Sequence, residues 1–135
     1  MKYTKATNYA LHTILYMIEN AKSKKLSVYA LAKHFNVSDT YLSKILTQLV
    51  KAGIIDSTSG ANGGYFFSKK VEEISFIDII NAVEGNFALF KCEFNESKCP
   101  IHKVMVDAEK LMESYLQNKK IYELAHEENF EVNEE

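Results

Sequence analysis

Between Ser27 and Gly53 the chain is punctuated so closely that it has few ways to fold there. Ser27 is a good N-cap for a helix of about two turns over Val28–Phe35 that buries Leu31. Asn36-Val37 makes a tight turn, and Ser38 caps a second helix over Asp39–Ala52. In that helix Leu42, Ile45, Leu46 and Leu49 recur at three- and four-residue spacings, so they share one inward face. Asp39 in the first turn complements the helix dipole, and Gly53 supplies the stop. Two capped helices across so short a turn form a helix-turn-helix. The pattern suits a helix laid in a DNA groove, and it also occurs in packed helical proteins with no DNA role.

The next residues narrow the choice. Ile54-Ile55 reads as a strand, Ser57–Gly64 as a glycine-rich turn, and Tyr65–Phe67 as the return strand before Ser68-Lys69-Lys70. Asn62-Gly63 between β-prone runs predicts a hairpin. A hairpin directly after the second helix is a wing, which lies along the phosphate backbone or in the minor groove. The glycines lack the Lys-Ser/Thr ending and the strand-loop-helix context of a nucleotide-binding P-loop. Net charge is only −2, yet residues 1–70 hold ten lysines against three acids, and residues 71–135 six lysines against fifteen. A basic half joined to an acidic one predicts an anion-binding face on one part and a solvated or oligomerising part beside it.

Around this centre the chain reads as mainly α-helical. Ala6, Ala10, Ile14, Met17, Ile18 and Ala21 form the stripe of an amphipathic first helix from about Thr4 to Asn20. Ser75-Phe76-Ile77-Asp78 is a capping box opening a short helix with Ile79, Ile80 and Val83 apolar, closed by Gly85. Residues 86–100 read as irregular and hold both cysteines, Cys92 and Cys99. Pro100 then starts the longest helix, Ile101–Gln117. Its stripe of Ile101, Val104, Ala108, Leu111 and Tyr115, with Met105, Met112 and Leu116 beside it, is wide for a lone helix at the end of a small domain. The partner is a second chain, or the first helix of the same chain. Lys120–His126 adds a further helical segment, and Glu127–Glu135 is an acidic tail. The expected organisation is a DNA-binding domain over residues 1–85, a cysteine-containing loop over 86–100, a dimerisation helix region over 101–126 and the tail over 127–135.

Several classes drop out. Hydrophobic residues make up 47% of the chain, enough for a core and too many for a disordered polymer. Its apolar runs are short and broken by Lys, Glu or Asn, so no membrane partner is expected, and the N-terminus does not read as a signal peptide. A cytoplasmic location follows, where Cys92 and Cys99 are not expected to form a permanent bridge. No Ser, His and Asp or Cys and His arrangement stands out beyond the cysteine segment, so the chain is not expected to be an enzyme.

Taken in order, Ser38-x-x-Tyr41-Leu42, Lys51-Ala52-Gly53-Ile54-Ile55, Gly60-Ala61-Asn62-Gly63-Gly64-Tyr65 and Ile74–Gly85 resemble the Rrf2 family of bacterial regulators over nearly the whole chain, and Tyr9-Ala10-Leu11 fits as well. The resemblance implies a winged helix-turn-helix with a long C-terminal dimerisation helix. It further implies a homodimer on double-stranded DNA at a palindromic operator, with repression as the usual mode. In that frame Thr40, Ser43, Lys44, Thr47 and Lys51 point away from the apolar stripe; Thr40, Ser43 and Lys44 are candidates for the groove, and Ser38, Tyr41 and Lys51 for the phosphate backbone. The family commonly has Arg before the first wing glycine, where this chain has Ser59. The wing is therefore expected to hold phosphates through backbone N–H groups around Gly60, Gly63 and Gly64, with Lys69 and Lys70, and to read A·T sequence weakly. The dimer interface is expected to use Val104, Ala108, Leu111, Met112 and Tyr115.

Cluster-binding members carry three cysteines in the loop, and a Cys followed three residues later by His, as in Cys99 and His102, is similar to the last ligand pair of the iron–sulfur cluster regulator. Here one cysteine is missing, and the first-helix position that is Asp in some nitric-oxide sensors is Asn8. Cys92, Cys99 and His102 thus offer three ligands where a [2Fe–2S] centre takes four. The reading favours no cofactor and a reversible thiol switch at Cys92 and Cys99, with Lys98, Lys103 and His102 nearby. A [2Fe–2S] cluster is the alternative; inert packing of the cysteines, or a small ligand in the loop, is a third. A helix-turn-helix module that binds protein rather than DNA is the remaining rival.

Overall fold

The computed structural model describes residues 1–20, 25–86, 88–90, 94 and 98–126. Helix α1 (Lys5–Asn20) buries Thr7, Ala10, Leu11, Thr13, Ile14 and Met17, the inward stripe of an amphipathic helix. Ala21, the last member of the expected stripe, lies outside the described residues.

Helix α2 (Val28–Phe35) starts where the Ser27 hydroxyl accepts the Ala30 N–H at 3.1 Å. It ends at Asn36, the one described non-glycine residue with positive φ (55°), whose N–H reaches back to Lys33 O, while the Val37 N–H reaches Ala32 O. Helix α3 (Asp39–Lys51) is capped by the Ser38 hydroxyl, which accepts the Tyr41 N–H at 3.1 Å. At its other end the Gly53 N–H bonds Val50 O and the Ile54 N–H bonds Leu49 O, the paired closure that a left-handed glycine (φ 79°) permits.

Strands β1 (Ile55–Thr58) and β2 (Gly64–Phe67) pair antiparallel, with Ile55 opposite Phe67 and Thr58 opposite Gly64. The strand therefore runs through Ser57 and Thr58, which read as turn in the sequence. A third partner of the hairpin has no local signal at all. Leu26, just before α2, exchanges both backbone hydrogen bonds with Tyr65, at 3.2 and 2.8 Å. The hairpin is thus tied to the entry of α2 as well as to the exit of α3.

Helix α4 (Phe76–Glu84) has its capping box in place: the Ser75 hydroxyl accepts the Asp78 N–H, and the Asp78 carboxylate accepts the Ser75 N–H, both at 3.1 Å. A short 3₁₀ turn over Val71–Glu73 leads into it. Helix α5 (Pro100–Asn118) packs on α4. Beyond it the expected helical segment is a 3₁₀ turn, Ile121–His126, that docks on α1. The Phe76 N–H bonds Lys119 O and the Ile121 N–H bonds Ile74 O, stitching the end of α5 to the start of α4.

One core joins these pieces, with Ile14, Leu31, Leu42, Leu46, Leu49, Ile74 and Ile79 fully buried. Helix α5 stands apart from it. Its one buried residue is a glutamate, Glu109, while Val104, Leu111 and Tyr115 are 65%, 75% and 62% exposed. Among the described residues no helix is long and apolar enough to cross a membrane.

Candidate nucleic-acid interface

The two faces of α3 are chemically opposite. Leu42, Ile45, Leu46 and Leu49 are buried, whereas Thr40, Lys44, Thr47 and Lys51 are exposed. Ser38 is exposed at the N-terminal tip, and Ser43 is half-buried. The Thr47 hydroxyl donates to Ser43 O at 2.8 Å. Tyr41 is half-buried, with its ring edge-on to Tyr9 at 5.7 Å, so its position is fixed by packing between α1 and α3. The expected α3 residues other than Ser43 and Tyr41 thus form one exposed polar strip of hydroxyls and ammonium groups.

At the wing the picture is more mixed. Gly60 has φ 99° and open space around it. Gly63 and Gly64 have structural tasks of their own. A Cβ at Gly63 would lie 2.3 Å from Thr58 O, and one at Gly64 (φ 151°) would lie 2.8 Å from Leu26 O. Gly64 is where the wing presses backbone to backbone on the chain before α2. Lys69 points its ammonium at Asp78, 3.3 Å away, so a residue expected to meet phosphate already has an anionic partner. Burial opposes the ionised Asp78 carboxyl, but its hydrogen bonds from Ser75 and the Lys69 ammonium hold it below its ordinary value. Lys70 is exposed.

On the other side of α4, Glu84 accepts the hydroxyls of Thr4, just before α1, and Thr7, in its first turn. Burial again opposes the charged form, and these hydrogen bonds, with Lys2 nearby, still lower its pKa. Sequence reasoning passes Glu84 by, because nothing local marks a contact with residues about eighty positions away.

Of the cysteine segment, Cys92 lies outside the described residues. Cys99 is the N-cap of α5, its Sγ accepting the His102 N–H at 3.4 Å. His102 lies 5.6 Å from the Phe90 ring, and its Nδ1 is buried with no hydrogen-bond partner among the described residues. Asn8, the first-helix position that could complete a ligand set, accepts the Tyr3 hydroxyl at 2.9 Å instead. Among the described residues no three His, Cys, Asp or Glu side chains gather as a metal-holding group.

The profile of the Rrf2 family, described as "Iron-dependent Transcriptional regulator", matches residues 3–127. The chain belongs to the Rrf2 family. It is 36% identical to the protein aau3 of Rhizobium meliloti over 75% of this chain and 66% of that protein. It is 34% identical to the HTH-type transcriptional regulator NsrR of Halalkalibacterium halodurans, over 72% of this chain and 66% of that one. Its aligned part thus spans about two thirds of the length of either relative. Among solved structures, the oxidised form of Staphylococcus aureus CymR is 29% identical and superposes with a TM-score of 0.77 over 96% of this chain and 100% of that one. This Rrf2-family chain is a DNA-binding transcriptional regulator, and α2, α3 and the β1–β2 hairpin build its winged helix-turn-helix.

Proposed function

We propose that the chain is a homodimeric repressor, not an enzyme, that works in the cytoplasm on palindromic operators. The observation that carries this is the two-faced α3, whose exposed Thr40, Lys44, Thr47 and Lys51 stand beside a hairpin wing. In this reading Thr40, Ser43 and Lys44 meet base edges, Ser38, Tyr41 and Lys51 the backbone, and Gly60 with its neighbouring amides the flanking phosphates. Lys69 contributes only when it leaves Asp78. The exposed apolar face of α5 supports the dimer. Val104, Ala108, Leu111, Met112 and Tyr115 lie on it, and a second α5 is the natural cover for so wide a stripe.

Control lies in the thiols and needs no cofactor. Cys99 at the start of α5 sits where the helix dipole favours thiolate, and its sulfur already bonds the first turn. Oxidation by peroxide joins Cys92 and Cys99 in one S–S bond, the two thiol hydrogens leaving as peroxide is reduced to two waters. The bridge takes the capping sulfur from α5 and thereby alters the dimer helix.

Labelled duplex from upstream of the protein's own gene, titrated at rising salt, tests the DNA reading. Affinity falls steeply with salt for a regulator and stays flat for a protein-binding module. Leu111→Asp tests the dimer: sedimentation then gives a monomer, and an unchanged dimer overturns the α5 interface. For the switch, operator affinity is compared before and after peroxide in the parent, Cys92→Ser and Cys99→Ser proteins. Equal affinities throughout rule it out.

A further inference from the structure

We propose that Lys5, on the first helix, is a phosphate-binding residue that extends the DNA interface beyond the helix-turn-helix; the inference rests on the DNA-binding reading above. Lys5 opens α1 and is exposed. Its ammonium stands 5.9 Å from the centroid of the Tyr9 ring and 5.9 Å from that of Tyr41. Tyr41 belongs to the first turn of α3, with its N–H on the Ser38 cap. A charge carried by α1 is therefore held beside the end of the helix that enters the groove. Phosphates line the edges of that groove, and a cation at this place faces one of them.

The manner of holding matters. Two aromatic faces restrict a lysine while leaving its charge intact, whereas a carboxylate would cancel it. The ion pairs among the described residues join Met1 to Glu109, Lys69 to Asp78 and Lys103 to Asp107, and Lys5 is in none of them. Glu84, the acid that reaches this end of α1, is engaged by the hydroxyls of Thr4 and Thr7. That same clasp fixes the first turn of α1 against α4, and so fixes where the ammonium stands relative to α3. Of the two wing lysines named from sequence, Lys69 is held by Asp78, whereas Lys5 is positioned without a carboxylate partner among the ion pairs above.

The test uses the full chain and fluorescein-labelled duplex from upstream of its own gene, beside a scrambled duplex, by anisotropy at several salt concentrations. Lys5→Ala weakens binding several-fold on both duplexes alike and makes the log–log salt slope shallower by about 0.9 for each phosphate it leaves unneutralised. Lys5→Arg, which stacks on the same rings, restores both. Lys119→Ala removes an ammonium held in the same manner over Tyr115, 5.1 Å away at the end of α5, and leaves the slope unchanged. If Lys5→Ala keeps the parental slope while Lys44→Ala loses affinity, the proposal is overturned and the DNA reading stands. If the parent protein shows no salt-dependent binding to either duplex, the DNA reading fails and the role of Lys5 with it.

Discussion

Replacing Gly64 by alanine tests whether the wing is held by backbone packing. The added Cβ would lie 2.8 Å from Leu26 O and 2.9 Å from Leu26 C, atoms that cannot swing away as a side chain can. At φ 151° an alanine is also strained, at a cost of about 1–3 kcal/mol. Relieving the clash means parting Leu26 from Tyr65, whose two hydrogen bonds are worth about 0.5–1.5 kcal/mol each. The sum is about 2–6 kcal/mol, a large share of the roughly 5–15 kcal/mol that holds a domain folded. Gly60→Ala is the matched control, because its positive φ (99°) brings strain and nothing lies within 4 Å of the new Cβ. Thermal unfolding followed by circular dichroism should place Gly64→Ala below Gly60→Ala by about 1–3 kcal/mol, on the order of 4–12 °C for a chain of this size. Equal melting temperatures would refute the account of the Leu26 contact.

Ser38→Ala removes the cap of α3 and should cost about 1 kcal/mol, a fall in Tm of a few degrees, with weaker operator binding beside it. Asp78 and Glu84 both ionise more readily in the fold than in the open chain, so their contribution is fully present at neutral pH. It is lost as pH falls below the ordinary carboxylate range and through each lowered folded value; the double variant Asp78→Asn, Glu84→Gln should show a flatter Tm against acid pH, and parallel curves would contradict this. Ser59→Arg places a cation at the wing turn and should raise affinity for A·T-flanked operators, whereas unchanged affinity would show that the wing does not reach a narrow minor groove.

Local signals carried most of the fold. Ser27, Ser38 and Ser75 cap the helices they precede, and Asn36 and Gly53 close α2 and α3, because capping is settled within a few residues. Pairings across the chain were not legible. Leu26 carries no mark that it will bond Tyr65, and the reason for a glycine at position 64 is invisible without that neighbour. Lys69 reads as an available cation until α4 brings Asp78 to it, while Lys5 reads as an ordinary surface lysine until α1 and α3 bring two tyrosines under it. The exposed stripe on α5 followed from periodicity. Its inward face did not, since the residue buried there is Glu109, a charged side chain whose carboxylate accepts the Leu89 N–H.

The stitching of α5 at its far end has a geometric consequence. The helix is capped by Cys99 and is followed by Lys119 and Ile121, both hydrogen-bonded to the strand-like entry of α4. A rod of 19 residues, about 28 Å long, is thereby fastened at its C-terminal end to the entry of α4, the helix that also packs on α3. In the proposed homodimer, two such rods would meet and set the separation of the two reading heads. Such a dimer would carry its own ruler, to be matched against operator half-sites one helical turn, about 34–36 Å, or a multiple of it apart. A slip of that fastening would change the length being measured without altering a single base contact.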